Sequence, residues 1–160
     1  MKQKFISAFM DVAERFAELS SATRAKVGAI IVKDNRIISI GYNGMPSGWS
    51  NDCEYEEEVL MSEYGKGTWL EKTGQLKTRP EVLHAETNAI AKVARSSESC
   101  EGATLFCTHL PCIDCAKLIY QSGISAVYYK TEYDAAKGNG KTFLEVSGIT
   151  VTQIGDTHDS

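Results

Sequence analysis

His84-Ala85-Glu86-Thr87-Asn88-Ala89-Ile90-Ala91-Lys92-Val93-Ala94-Arg95, then Thr104-Leu105-Phe106-Cys107, then Pro111-Cys112-Ile113-Asp114-Cys115, is the stretch on which the reading of the fold turns. From His84 onward the pattern is regular. It predicts a helix over 84–95, a strand over 103–108, a helix over 112–122, a strand over 125–130, a short helix near 140–147 and a strand over 149–154. Strands alternating with helices imply βαβ units and a sheet covered on both faces. Upstream, Val27 to Val32 and Arg36 to Ile40 are rich in Val and Ile and joined by Lys33-Asp34-Asn35, which reads as a β-hairpin. Phe5, Phe9, Val12 and Phe16 recur at helical spacing, so a first helix is expected from Lys2 to Leu19. The expected fold class is therefore α/β, a three-layer α/β/α domain on a mixed five-stranded sheet. Its hairpin supplies the antiparallel edge, and right-handed crossovers supply the parallel pairs.

At 160 residues the chain reads as a single domain, 1–160, able to bury roughly 70% of the surface its unfolded form exposes. Residues 49–83 are read as an insertion within it. Glu54 to Tyr64 suggests a short acidic helix there, and Gly65, Gly67, Gly74 and Pro80 suggest loop. A loop of that length in a compact domain is usually functional or mobile.

The same motifs that open the two helices carry the chemistry. His84, Cys112 and Cys115 are zinc-type ligands, and Glu86 is a spare carboxylate. Structural zinc sites close with four protein ligands, whereas catalytic sites usually supply three and leave the fourth position to water or substrate. Cys112 and Cys115, three apart, lie on one face of a helix start, where the helix end favours the thiolate. Residues two apart in a regular helix point about 200° away from each other. His84 and Glu86 can therefore converge only in a first turn, so the expectation is two helix N-termini facing each other across the metal.

Composition narrows the partners. Hydrophobic residues make up 42% and charged residues 24%, the balance of an ordinary globular chain. No apolar run approaches the ~20 residues of a membrane span. Asp11, Glu14 and Arg15 interrupt the N-terminal apolar run, which excludes a signal peptide and leads to a cytoplasmic expectation. Five cysteines, an odd number, argue against a disulfide framework. Of these, Cys107 reads as a small buried hydrophobe and Cys100 as a loop thiol without a role. With net charge −4 and no basic cluster, a small substrate is favoured over nucleic acid.

The order H-x-E then P-C-x-x-C is the known signature of zinc nucleobase deaminases. On it, and on Lys26-Val27-Gly28-Ala29-Ile30-Ile31-Val32, Gly41-Tyr42-Asn43-Gly44 and a later tyrosine, the chain resembles the cytidine deaminase-like superfamily, specifically the deoxycytidylate (dCMP) deaminases. The resemblance covers nearly the whole chain. It implies hydrolysis of dCMP to dUMP and ammonia, with zinc held by His84, Cys112 and Cys115 and protons carried by Glu86. The Ala85 backbone N–H would bind the pyrimidine carbonyl. Asn43 matches the family residue that hydrogen-bonds the sugar, against a reading as a turn residue. Arg24 matches the position that holds the 5′-phosphate, against a solvated surface arginine. Tyr133 matches a tyrosine of the substrate pocket, against core packing.

Members of this family are commonly homo-oligomers, hexamers, activated by dCTP and inhibited by dTTP, with Mg2+ accompanying the triphosphate. That assigns Tyr42, Gly44 and Met45 to an effector site. A second, cysteine-rich zinc site found in some members is not matched, since the region ahead of His84 offers only Cys53. Three other readings stay open: another small-molecule nucleoside or nucleotide deaminase, a tRNA adenosine deaminase, and a noncatalytic zinc-stabilised binding module.

Overall fold

The computed structural model describes residues 1–155, so the expected domain, drawn to residue 160, extends past them. Among the described residues, seven strands and four helices follow in the order α1 (Gln3–Ala17), β1 (Gly28–Lys33), β2 (Arg36–Tyr42), β3 (Glu54–Glu63), β4 (Gly67–Thr78), α2 (Ala85–Ala94), β5 (Thr104–His109), α3 (Ile113–Gln121), β6 (Ala126–Thr131), α4 (Lys141–Val146) and β7 (Thr150–Gln153). Five strands form the main sheet in the order β2-β1-β5-β6-β7. β1 runs antiparallel to both β2 and β5, while β5-β6 and β6-β7 are parallel. The sheet is thus mixed and five-stranded, as expected from the sequence.

The middles of β1, Ala29 to Val32, and of β5, Leu105 to Cys107, are apolar because both of their faces are covered. On one face Ile30, Val32 and Phe106 pack against Ile6, Met10 and Ala13 of α1. On the other, Ala29, Ile31, Leu105, Cys107 and Val127 meet Ala85, Ala89 and Val93 of α2, Cys115, Ala116 and Ile119 of α3, and Leu144 of α4. The β1–β2 turn places Asp34 and Asn35 at φ 51° and 59°, the two positive angles of a type I′ hairpin, which short polar side chains tolerate. Among the described residues no helix is long and apolar enough to cross a membrane.

The acidic helix expected over Glu54 to Tyr64 is not present. Those residues are β3, paired with β4 in a separate two-stranded antiparallel ribbon with Leu60 opposite Leu70 and Met61 opposite Trp69. The 49–83 stretch is accordingly an arm rather than a loop, and among the described residues neither of its strands packs on another helix or strand. Cys100 lies in the connection between α2 and β5, a loop as expected, but its side chain is buried in the main core.

Two glycines set how closely the helices approach the sheet. A Cβ at Gly28 would collide with Ala13 O of α1, and one at Gly41 with Ala85 O of α2. The second contact matters more for the site, since Ala85 lies between His84 and Glu86. Gly41→Ala is expected to cost about 1–3 kcal/mol through overpacking. Read by thermal melting, that is a fall in Tm of roughly 2–10 °C for a chain of this size. Activity should fall with it, because α2 must shift; an unchanged melting curve would show that the helix has room.

Candidate active site

The site lies where α2 and α3 begin. His84 is the N-cap of α2, with extended backbone (φ −75°, ψ 150°), and Cys112 is the N-cap of α3 (φ −69°, ψ 167°). Cys115 and Glu86 follow within the first turns of those helices. Each helix therefore presents its positive end toward the same point.

Neighbouring segments pin these helix starts. Gly44 N–H donates to Leu83 O at 3.2 Å and Leu83 N–H to Gly44 O at 2.8 Å, fixing the residue just ahead of His84. On the α3 side, Gly140 N–H donates to Pro111 O at 2.7 Å and Ile113 N–H to Gly138 O at 3.2 Å. The sequence reading missed this Gly138-Asn139-Gly140 brace. Its signal, a tight-turn tripeptide, was available, but what it packs against was not.

Nδ1 of His84 lies 3.2 Å from Cys115 Sγ and 3.6 Å from Cys112 Sγ. Among the described residues these three form a cluster whose ligand atoms all lie within 4.8 Å of one another. A tetrahedral zinc with Zn–S of about 2.3 Å and Zn–N of about 2.05 Å separates its N and S ligands by about 3.6 Å, so the donor set fits in type and in spacing. His84 is exposed while both cysteines are buried, so solvent reaches the cluster from the histidine side.

The cluster titrates as a unit. A hydrogen bond from Cys115 holds the Cys112 thiol down at about 4, and the same bond together with burial raises Cys115. His84 is raised, first by its hydrogen bond to Cys112. One sulfur is thus ionised at neutral pH, the form that binds a metal.

Glu86 is buried at 5% exposure, with Oε1 3.4 Å from Cys107 Sγ and Oε2 3.7 Å from Cys115 Sγ. Burial lifts its carboxyl above the ordinary range, opposed by its own backbone N–H and by His84. A carboxyl raised in this way holds a proton more readily than an exposed one, which suits it to giving a proton as well as taking one.

The remaining expected residues lie around this centre rather than in it. Asn43 spends both ends of its amide on the backbone: Val27 N–H donates to its Oδ1 and its Nδ2 donates to Ala25 O, each at 2.8 Å. One N–H and one lone pair are left over. The Arg24 guanidinium is exposed and donates to Thr78 Oγ1 at 3.0 Å, while Glu54 Oε1 accepts from the Thr23 and Arg24 backbone N–H groups. Arg24 therefore sits at the root of the arm. Tyr133 is 42% exposed, so it is not a core residue, and its ring stands edge-on to His109 at 6.3 Å. Tyr42 lies under Lys92 at 5.9 Å and accepts from Asn88 through its carbonyl, and the Met45 backbone hydrogen-bonds the buried Cys53 sulfur. Ala85 is fully buried as the first residue of α2.

Comparison with known proteins agrees with this geometry. The model of the cytidine and deoxycytidylate deaminase zinc-binding region matches residues 3–131. The deoxycytidylate deaminase of Enterobacteria phage T4 is 34% identical over 92% of this chain and 89% of its own. The human deoxycytidylate deaminase is 34% identical over 89% of this chain and 75% of its own. Among solved structures, the dCMP deaminase of cyanophage S-TIM5 in complex with dCMP and dUMP superimposes with a TM-score of 0.79 at 42% identity, covering 96% of this chain and 99% of that one.

Proposed function

The chain belongs to the cytidine and deoxycytidylate deaminase family, and from that membership we propose that it hydrolyses dCMP to dUMP and ammonia. The observation that carries the choice of substrate is the likeness, along nearly the full length of both chains, to the cyanophage enzyme solved with dCMP and dUMP.

His84, Cys112 and Cys115 would hold zinc. Zinc bound there lowers the pKa of a coordinated water toward neutrality and so supplies a nucleophile for C4 of cytosine. The residues of the chain do the rest. Glu86 takes a proton from the attacking water and delivers it to N3 as C4 becomes tetrahedral. It then carries the second proton to the exocyclic amine, which leaves as ammonia. The Ala85 N–H, unpaired at its helix start, would donate to the pyrimidine carbonyl. Asn43 would use its remaining N–H on the sugar, Tyr133 would line the pocket wall, and Arg24 would exchange Thr78 for the 5′-phosphate, a match for a guanidinium fork.

We further propose that residues 1–160 act as one deaminase domain with 49–83 as an insertion, that it works in the cytoplasm as a homo-oligomer, and that dCTP activates and dTTP inhibits it. Tyr42, Gly44 and Met45 would line the effector site, with Mg2+ accompanying the triphosphate. Turnover of dCMP, dCTP, deoxycytidine and CMP, each with and without dCTP and dTTP, tests this reading; preference for any substrate other than dCMP overturns it. Arg24→Ala should raise KM for dCMP at least tenfold, about the worth of one charge-assisted contact, and leave KM for deoxycytidine nearly unchanged. Equal effects on both would remove its phosphate role.

A further inference from the structure

Glu86 has two oxygens, and the structure treats them differently. Oε2 faces Cys115 on the cluster side, while Oε1 faces Cys107 on the opposite, fully buried side. The torsion that turns a glutamate carboxylate is broad and roughly two-fold, so without an anchor the two oxygens would interchange. Cys107 supplies that anchor. It lies in the central strand, with Ala29 of β1 on one side and Tyr129 of β6 on the other, so its Cα is held from both directions. Its sulfur accepts a hydrogen bond from the His109 backbone N–H, which leaves the S–H free to point at Glu86. Ala29, Ala85, Ala89 and Ala116, in the same buried cluster, have side chains that offer the S–H no other acceptor.

We propose that Cys107 is the positioning residue for Glu86: its S–H holds Oε1, leaving Oε2 as the oxygen that exchanges protons at the reacting centre. This rests on the reading of Glu86 as the proton carrier. Cys107 is not among the clustered ligand residues His84, Cys112 and Cys115, and it acts only through the carboxylate. A hydrogen bond to a charged group is worth more than one between neutral partners, which lets a weak thiol donor matter here.

Three variants separate the hydrogen bond from packing. Cys107→Ser keeps a donor of nearly the same size, Cys107→Ala removes it and leaves a small gap, and Cys107→Val removes it while filling the space. With zinc content measured on each, kcat on dCMP should fall about tenfold in the Ala and Val variants with KM unchanged, and stay within about twofold of wild type in the Ser variant. The inference is overturned if Ala and Val keep wild-type kcat, if Ser falls as far as Ala, or if the loss appears in KM.

A second readout needs no turnover. The infrared S–H stretch of Cys107, assigned by its disappearance in Cys107→Ser, should lie at lower frequency in wild type than in Glu86→Ala, as a donated S–H does. An identical frequency in the two proteins also overturns the inference. Were the wild type to deaminate none of the substrates in the panel, the proposed function would fall, and the infrared band would still decide the contact.

Discussion

Exchange of Glu86 for Gln is expected to lower kcat on dCMP about a thousandfold while zinc content and the folded state persist. Positioned general acid–base groups contribute about 10²- to 10⁴-fold, and here one group is asked to move both protons of the reaction. Gln keeps the shape and an oxygen that can accept from Cys107, so the contact at 3.4 Å has a replacement partner. It cannot take or release a proton. Thermal stability should not fall, because burial raises the Glu86 carboxyl, meaning that its ionised form is disfavoured in the folded chain. Steady-state kinetics, metal analysis and a melting curve check the three parts together. A Gln variant within tenfold of wild-type kcat would remove Glu86 from the proton path.

Loss of a ligand should be harsher still. Cys115→Ala is expected to bring zinc content close to zero and turnover below detection, and to lower Tm. Any ligand that binds only the folded chain stabilises it by mass action, about 2.7 kcal/mol at a hundredfold excess over Kd. For a chain of this size that amounts to roughly 5–10 °C in Tm. Cys115 is almost fully buried between α3 and the sheet, so the substitution also removes packed volume. A chelator applied to wild type separates the two effects: it should abolish turnover and lower Tm in a way that added zinc reverses, whereas the variant should not recover. Wild-type turnover that survives exhaustive chelation would exclude a metal from the reaction.

The fold was legible where burial imposes a period. The hairpin, the central strand and the helices after His84 each carry an apolar pattern, because each has one face or both against a core. Their observed bounds differ from the expected ones by a residue or two. The arm was misread for the converse reason. Glu54, Glu56, Glu57, Glu58, Leu60 and Met61 are mostly good helix formers taken one at a time. Both faces of β3 meet solvent along most of its length, so no alternation betrays a strand. What makes it one is pairing with Gly67–Thr78, a contact between separate segments that local preference does not register.

The sequence by itself determined the ligand types, the spare carboxylate and the need for both motifs to sit at helix starts, because helical periodicity lets His84 and Glu86 converge in no other way. Tertiary structure alone decided the partners of each side chain. It turned Cys107 from a small core residue into the donor that distinguishes the two oxygens of Glu86, tied the Asn43 amide to the backbone of Ala25 and Val27, and set Arg24 at the root of an arm. The reason is physical. A residue's chemistry and its period along the chain are local properties, whereas which atom completes its hydrogen bond depends on segments that meet only when the chain is packed.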